Sequence, residues 1–330
     1  MNITVLGDGG WGTSLAIKLH NNGHTVRLWG AFPDYTRSLN ETRENVKFLP
    51  GVKIPDGIEI TSDAKRASAG VELFVVVAPS KHVRSVMKRF KEFGLSGAKI
   101  VSATKGIEEE TLLRMSEVIE DVLGKVRLAV LTGPTIAFEV ARSMPSTIVS
   151  ASRDAEFAKE VQALFMSDSL RVYTSVDVTG VELGGSLKNI IAIASGVADG
   201  LGLGANCKAA ILTRGMQEIT RLGLAMGAKR ETFSGLTCMG DLITTCMSKH
   251  SRNRWLGEEI GKGRKPEEII RSTEMAVEGF VTARSALALA RKHKVQMPIA
   301  EEMHEILYSN KEPKTAVRSL MARSPKNEIY

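Results

Sequence analysis

The sequence has 330 residues, 43% hydrophobic and 25% charged, with a formal net charge of +7. That length accommodates two domains, and the composition is that of an ordinary globular protein. No apolar run approaches the roughly 20 residues of a membrane-spanning helix, so no integral membrane segment is expected. The N-terminus enters a strand pattern at once (residues 3–6), so no signal peptide is expected. Cys207, Cys238 and Cys246 form no CxxC pair; reduced thiols in a cytoplasmic protein are the simplest reading. Basic residues are spread along the chain and interleaved with acids. This favours a small phosphorylated partner over nucleic acid.

In chain order, β-rich runs fall at 3–6, 25–29, 72–77, 99–102, 127–131 and 147–150, with 171–174 a candidate last strand. Helical patterns lie between them at 13–22, 81–92 and 111–123. This alternation predicts a mostly parallel sheet with helices on both faces. From about residue 177 the period becomes helical, through 177–200, 205–226, 251–262, 278–293 and 298–308. Gly227, Gly235 and Gly240 read as turns there. The polar tail 311–330 is expected to be partly mobile. The reading is therefore a dinucleotide-binding domain over 1–176 and an all-helical substrate-binding domain over 177–330, joined without a flexible linker.

Gly7-Asp-Gly-Gly-Trp-Gly12 directly follows the first strand and opens a helix. In that setting G-x-G-x-x-G is a dinucleotide-binding signature. Gly7 permits the turn, Gly9 the approach of a pyrophosphate, and Gly12 close helix–strand packing. The helix N-terminus then faces the anion. The second strand ends at Trp29-Gly30-Ala31-Phe32, with no acid before Asp34 and no arginine at Ala31. The cofactor reads as NAD or NADP, with both open. Asp8 is an unusual acid that the motif does not explain. Ala78-Pro79-Ser80 ends another apolar strand, and is either crevice lining or an ordinary turn.

Lys188 lies in Leu183-Gly-Gly-Ser-Leu-Lys-Asn189, inside an otherwise apolar helical stretch. A lysine there must be paired or have its pKa lowered, which suits it to be a proton acceptor in alcohol oxidation. Lys105 and Arg252 are candidate cations to lower it further. Lys105 follows a strand, at the sheet edge where ligands bind. Gly133-Pro-Thr135 is another strand-end loop, which either approaches a substrate or marks a helix start at Pro134. Asp241 either caps a helix or orients Lys188. Ser251-Arg-Asn-Arg254 combines a candidate N-cap with donors, as a phosphate site would. Glu278 either accepts from a cofactor or starts a surface helix. The histidines and cysteines show no metal-ligand spacing.

Taken together, Gly7–Gly12 with Trp11, residues 102–106, Gly133-Pro-Thr-Ile-Ala137, residues 184–189, Gly240-Asp-Leu242, residues 251–254 and residues 277–279 resemble the bacterial-type NAD(P)-dependent glycerol-3-phosphate dehydrogenases. The resemblance spans nearly the whole chain. It implies an α/β fold: an N-terminal Rossmann-type doubly wound sheet, then an all-helical C-terminal domain of the 6-phosphogluconate dehydrogenase-like kind. It implies interconversion of sn-glycerol 3-phosphate and dihydroxyacetone phosphate, supplying phospholipid synthesis. Lys188 would accept the proton, with Asp241 beside it. Lys105, Gly133, Thr135, Asp241, Ser251, Arg252 and Asn253 would hold the substrate. Gly7, Gly9, Gly10, Trp11, Gly12, Lys105, Ala137, Arg252 and Glu278 would touch the cofactor. A homodimer is implied as well. The family's usual serine is Thr135 here, which keeps the hydroxyl. Its usual basic or polar residue is replaced by Ala31-Phe32, which bears on NADP preference. A related β-hydroxyacid dehydrogenase and a catalytically silent dinucleotide sensor are the competing readings.

Overall fold

The structure, a computed structural model, describes residues 1–95, 97–325, 327 and 328. Eight strands form one sheet: β1 (Asn2–Leu6), β2 (Thr25–Trp29), β3 (Glu59–Thr61), β4 (Leu73–Val76), β5 (Lys99–Ser102), β6 (Arg127–Thr132), β7 (Ser146–Ala151) and β8 (Leu170–Ser175). Their order across the sheet is β3-β2-β1-β4-β5-β6-β7-β8. The strands read as apolar runs because helices cover both faces; all four residues of β4 are buried. From β1 the chain winds outward through β2 to β3, then crosses back to β4 on the other side of β1 and winds the opposite way. That reversal opens a crevice at the carboxyl ends of β1 and β4, where doubly wound folds bind ligands.

Several expectations need correction. β3 was not foreseen: its three residues are too short to carry a periodic signal. β7 runs antiparallel to β6 and parallel to β8, so the sheet is mixed at one end. The helix expected over 111–123 begins at Met115; Leu112 before it has φ of +61°, which no helix accommodates. The stretch around Gly240 is no turn. Leu236–Gly240 is a π-helical segment that runs straight into the helix Asp241–Met247. Within the polar tail, Pro313–Met321 is helical and buries Ala316.

The second half is built around the helix Val178–Gly200, which is buried without a break from Gly180 to Ala198. A helix apolar on all sides must be enclosed by others. The helix Arg252–Gly261 packs on it through glycines. A Cβ at Gly196 would lie 2.0 Å from the Arg254 carbonyl oxygen, and one at Gly257 would lie 2.0 Å from that of Ile193. This backbone-to-backbone contact brings the Ser251–Arg254 cluster beside Lys188 and Asn189. Asp177 caps the central helix: its Oδ1 accepts from Gly180 N at 2.9 Å. Its other oxygen accepts from Lys229 N and Thr232 Oγ1. No described helix is long and apolar enough to cross a membrane.

Candidate active site

Lys188 is 4% exposed, and its ammonium is fixed between two acceptors. Nζ donates to Asp241 Oδ1 at 2.9 Å and to Thr245 Oγ1. Lys105 reaches the same carboxylate from the sheet edge, donating to Asp241 Oδ2 at 2.6 Å. Two cations therefore share one buried acid. Burial is the main force that lowers the Lys188 pKa, to about 8; Asp241 opposes it and the Lys105 charge assists it. Lys105 fills the expected role of neighbouring cation. The charge of Arg252 is instead felt by Glu278.

Asp241 is the first residue of its helix and makes no cap. Its carboxylate is 2% exposed and is committed to the two lysines. Thr245, one turn further, was missed by sequence reasoning. An i, i+4 acid–hydroxyl pair opening a helix, as in Asp241-x-x-x-Thr245, is the signal that could have found it.

From the sheet, the loop after β6 brings Gly133 and Thr135 to Lys105. Nζ donates to the Gly133 carbonyl at 3.0 Å, and Thr135 Oγ1 lies 3.5 Å away. Pro134 does not open a helix; the short helix that follows begins at Ala137. The Ala137 carbonyl accepts from Ser14 Oγ at 2.8 Å, tying that helix to the one after the glycine loop.

On the helical side, Ser251 is the N-cap that its position suggested, its Oγ accepting from Arg254 N at 3.1 Å. Asn253 Nδ2 donates to Asn189 Oδ1 at 2.9 Å, and its Oδ1 accepts from Gly279 N at 2.9 Å. Asn253 thus locks three helices together, next to Lys188. Arg254 is neutralised by Asp199 and Glu258. Arg252 is exposed, and among the described residues it has no carboxylate within ion-pair distance, which leaves its guanidinium available to an anion. Glu278 is not a surface helix start. Its carboxylate accepts from Ser80 N at 3.1 Å and from Ser80 Oγ at 2.5 Å, joining the helical half to the loop after β4. Burial raises its pKa, against the Ser80 hydrogen bonds and the Arg252 charge. Ser80 therefore belongs with the sequence-derived residues.

The glycine loop fits a dinucleotide. A Cβ on Gly12 would lie 1.8 Å from the Gly7 carbonyl oxygen, so the helix sits hard against the strand end. A Cβ on Gly9 would meet no protein atom within 4 Å, which leaves the approach to the backbone open. No side chain caps the helix Gly10–Asn21, so its first N–H groups face outward for an anion. Trp11 packs against the sheet core, and its buried Nε1 has no partner among the described residues.

Models of the NAD-dependent glycerol-3-phosphate dehydrogenase N-terminus and C-terminus match residues 2–158 and 177–318. A glycerol-3-phosphate dehydrogenase [NAD(P)+] of Chlorobium phaeobacteroides is 47% identical over 332 aligned residues, covering 100% of this chain and 99% of the relative. One from Pelotomaculum thermopropionicum is 48% identical, covering 99% of this chain and 95% of the relative. The crystal structure of glycerol-3-phosphate dehydrogenase from Coxiella burnetii superposes with a TM-score of 0.94 at 37% identity, covering 98% of this chain and 99% of that one. A Rossmann-type sheet with a helical second half defines a two-domain dinucleotide-dependent oxidoreductase. The chain belongs to the NAD-dependent glycerol-3-phosphate dehydrogenase family.

Proposed function

We propose that this chain interconverts sn-glycerol 3-phosphate and dihydroxyacetone phosphate with NAD(P), Lys188 serving as the proton acceptor. The observation that carries this reading is the buried Lys188–Asp241–Lys105 cluster at the carboxyl edge of the sheet. When bound, NAD(P) supplies the two-electron acceptor or donor for the reacting carbon. Residues 1–176 form the cofactor half and 177–330 the substrate half.

In the oxidation, Lys188 starts as the neutral amine. Its depressed pKa makes that form accessible near neutral pH. It takes the C2 hydroxyl proton as that carbon is oxidised. The ammonium formed is held by Asp241 and Thr245, already in place before the reaction. In the reduction the same ammonium returns its proton to the carbonyl oxygen. Lys105, with Gly133 and Thr135, positions the hydroxyl-bearing end of the substrate. Arg252 and the N–H groups of the helix that Ser251 caps hold its phosphate, and Asn253 fixes that helix relative to Lys188. Remote phosphate binding of this kind orients the reacting carbon. Gly7, Gly9, Gly10, Trp11, Gly12, Ala137 and Glu278 line the cofactor side.

The working enzyme is a cytoplasmic homodimer without nucleic-acid partners, and its product supplies phospholipid synthesis. Turnover of dihydroxyacetone phosphate with reduced nicotinamide, compared with Lys188→Ala, tests the reaction. Equal turnover in the variant would remove Lys188 from it. Turnover only with an unphosphorylated hydroxyacid would replace the substrate.

A further inference from the structure

Asp8 stands between the first two glycines of the loop. Its backbone carbonyl accepts from Asn45 Nδ2 at 2.8 Å, and the fully buried Asn45 also donates to Thr13 Oγ1 at 2.7 Å. The loop is therefore held, and the carboxyl group has a fixed direction. It points across to the end of β2. A Cβ on Gly30 would fall 2.0 Å from Asp8 Oδ2, so this carboxyl occupies the space that a side chain on residue 30 would take. Asp8 Oδ2 is shut from solvent without a hydrogen-bond partner among the described residues. Thr36 Oγ1, also beside Gly30, donates to the Phe32 carbonyl. A buried carboxylate oxygen left unsatisfied by the protein is costly, and such an atom calls for a partner from outside the chain. The same burial raises its pKa to about 6, leaving it mostly ionised at neutral pH.

The end of β2 is where a dinucleotide site ordinarily carries an acid for the adenosine ribose, or an arginine for a 2′-phosphate. Here Gly30, Ala31 and Phe32 provide neither. Of the cations that follow in the chain, Arg27 pairs with Glu59, Arg43 with Asp56 and Lys47 with Glu274, while Arg37 makes only an exposed pair with Asp34. We infer that Asp8, reaching from the glycine loop into the space at Gly30, replaces the missing acid at the end of β2 and makes this chain prefer NAD over NADP. An ionised carboxylate accepts from ribose hydroxyls and repels a 2′-phosphate, which carries nearly two negative charges. The inference rests on the dehydrogenase reading and adds the determinant of cofactor choice.

Equilibrium binding of NADH and of NADPH to the protein without substrate, followed by titration calorimetry, tests it. Wild type is expected to bind NADH at least about tenfold more tightly than NADPH. Asp8→Asn and Asp8→Ser are expected to narrow that gap to within about threefold, chiefly by strengthening NADPH binding. Both variants are expected to melt no lower than wild type, because an unsatisfied buried acid is removed. NADPH bound as tightly as NADH by the wild type would overturn the proposal alone. So would equal weakening of both cofactors in the variants, which would make Asp8 a loop-forming residue. Binding of neither dinucleotide would overturn the dehydrogenase reading along with it.

Discussion

An ammonium group in an apolar helix is unstable unless something compensates it, and at Lys188 the compensation is partial. Asp241 and Thr245 hold the charge, while burial and Lys105 oppose it, leaving a pKa of about 8 against 10.5 for an ordinary lysine. The folded state thus binds fewer protons than the unfolded state between those two values. Stability contributed by this residue therefore rises as pH climbs through that window, and below about pH 8 its penalty is complete. Lys188→Met should accordingly be no less stable than wild type at pH 7, since Asp241 keeps Lys105 as partner; thermal melting checks this. Arg252 carries a different burden. Its replacement by alanine should raise KM for the phosphorylated substrate about tenfold or more with a smaller change in kcat, because it removes a charge-assisted anchor remote from the reacting carbon. Steady-state kinetics with a flat KM would place the phosphate elsewhere. Lys188, Lys105 and Asp241 were legible in the sequence because charged residues in apolar or strand-end settings stand out. Ser80 was half legible, at a strand end that fits either crevice lining or a turn, and Thr245 was missed because its one signal, the i, i+4 spacing from Asp241, fits any helix equally well.

At the scale of elements, the joint between the two halves is polar and buried. Arg114, 4% exposed at the start of the helix Met115–Leu123, pairs with Glu182 of the central helix, itself 6% exposed. Glu182 also accepts from Ser116 N at 2.8 Å and from Ser116 Oγ at 2.6 Å. Glu182→Ala leaves Ser116 without its acceptor and Arg114 with only Glu117 as partner, so it should cost about 2–3 kcal/mol by chemical denaturation. The half-exposed pair Arg127–Asp154 should matter far less in the same assay, because solvent screens it. A comparable loss at both sites would contradict this account of the joint. The βαβ rhythm and the long helices were readable because periodicity accumulates over many residues. The edge strand β3, the reversed β7 and the π-helical entry to Asp241 were not, because pairing direction and local winding are set by tertiary contacts. The helix Pro313–Met321 hid in a polar tail because few of its residues are buried.

For the whole molecule, the candidate site exists only when the two halves are docked. Lys105 bonds Asp241, Ser80 bonds Glu278, and Ser186 Oγ accepts from Gly106 N at 2.8 Å. Each bond crosses from the sheet domain to the helices. A cofactor lying in the crevice binds the folded chain only, so NADH at about 100 times its Kd should raise stability by about 2.7 kcal/mol. A melting midpoint unmoved by saturating NADH would argue against a preformed crevice.

Whether Lys188 accepts the proton is read most directly from the pH dependence of kcat for glycerol 3-phosphate oxidation. With Lys188 as base, kcat should rise with pH and level off above an apparent pKa near 8. In Lys188→Ala it should fall by about 10² or more and lose that inflection. An inflection near pH 8 that survives in the variant would assign the proton to another group.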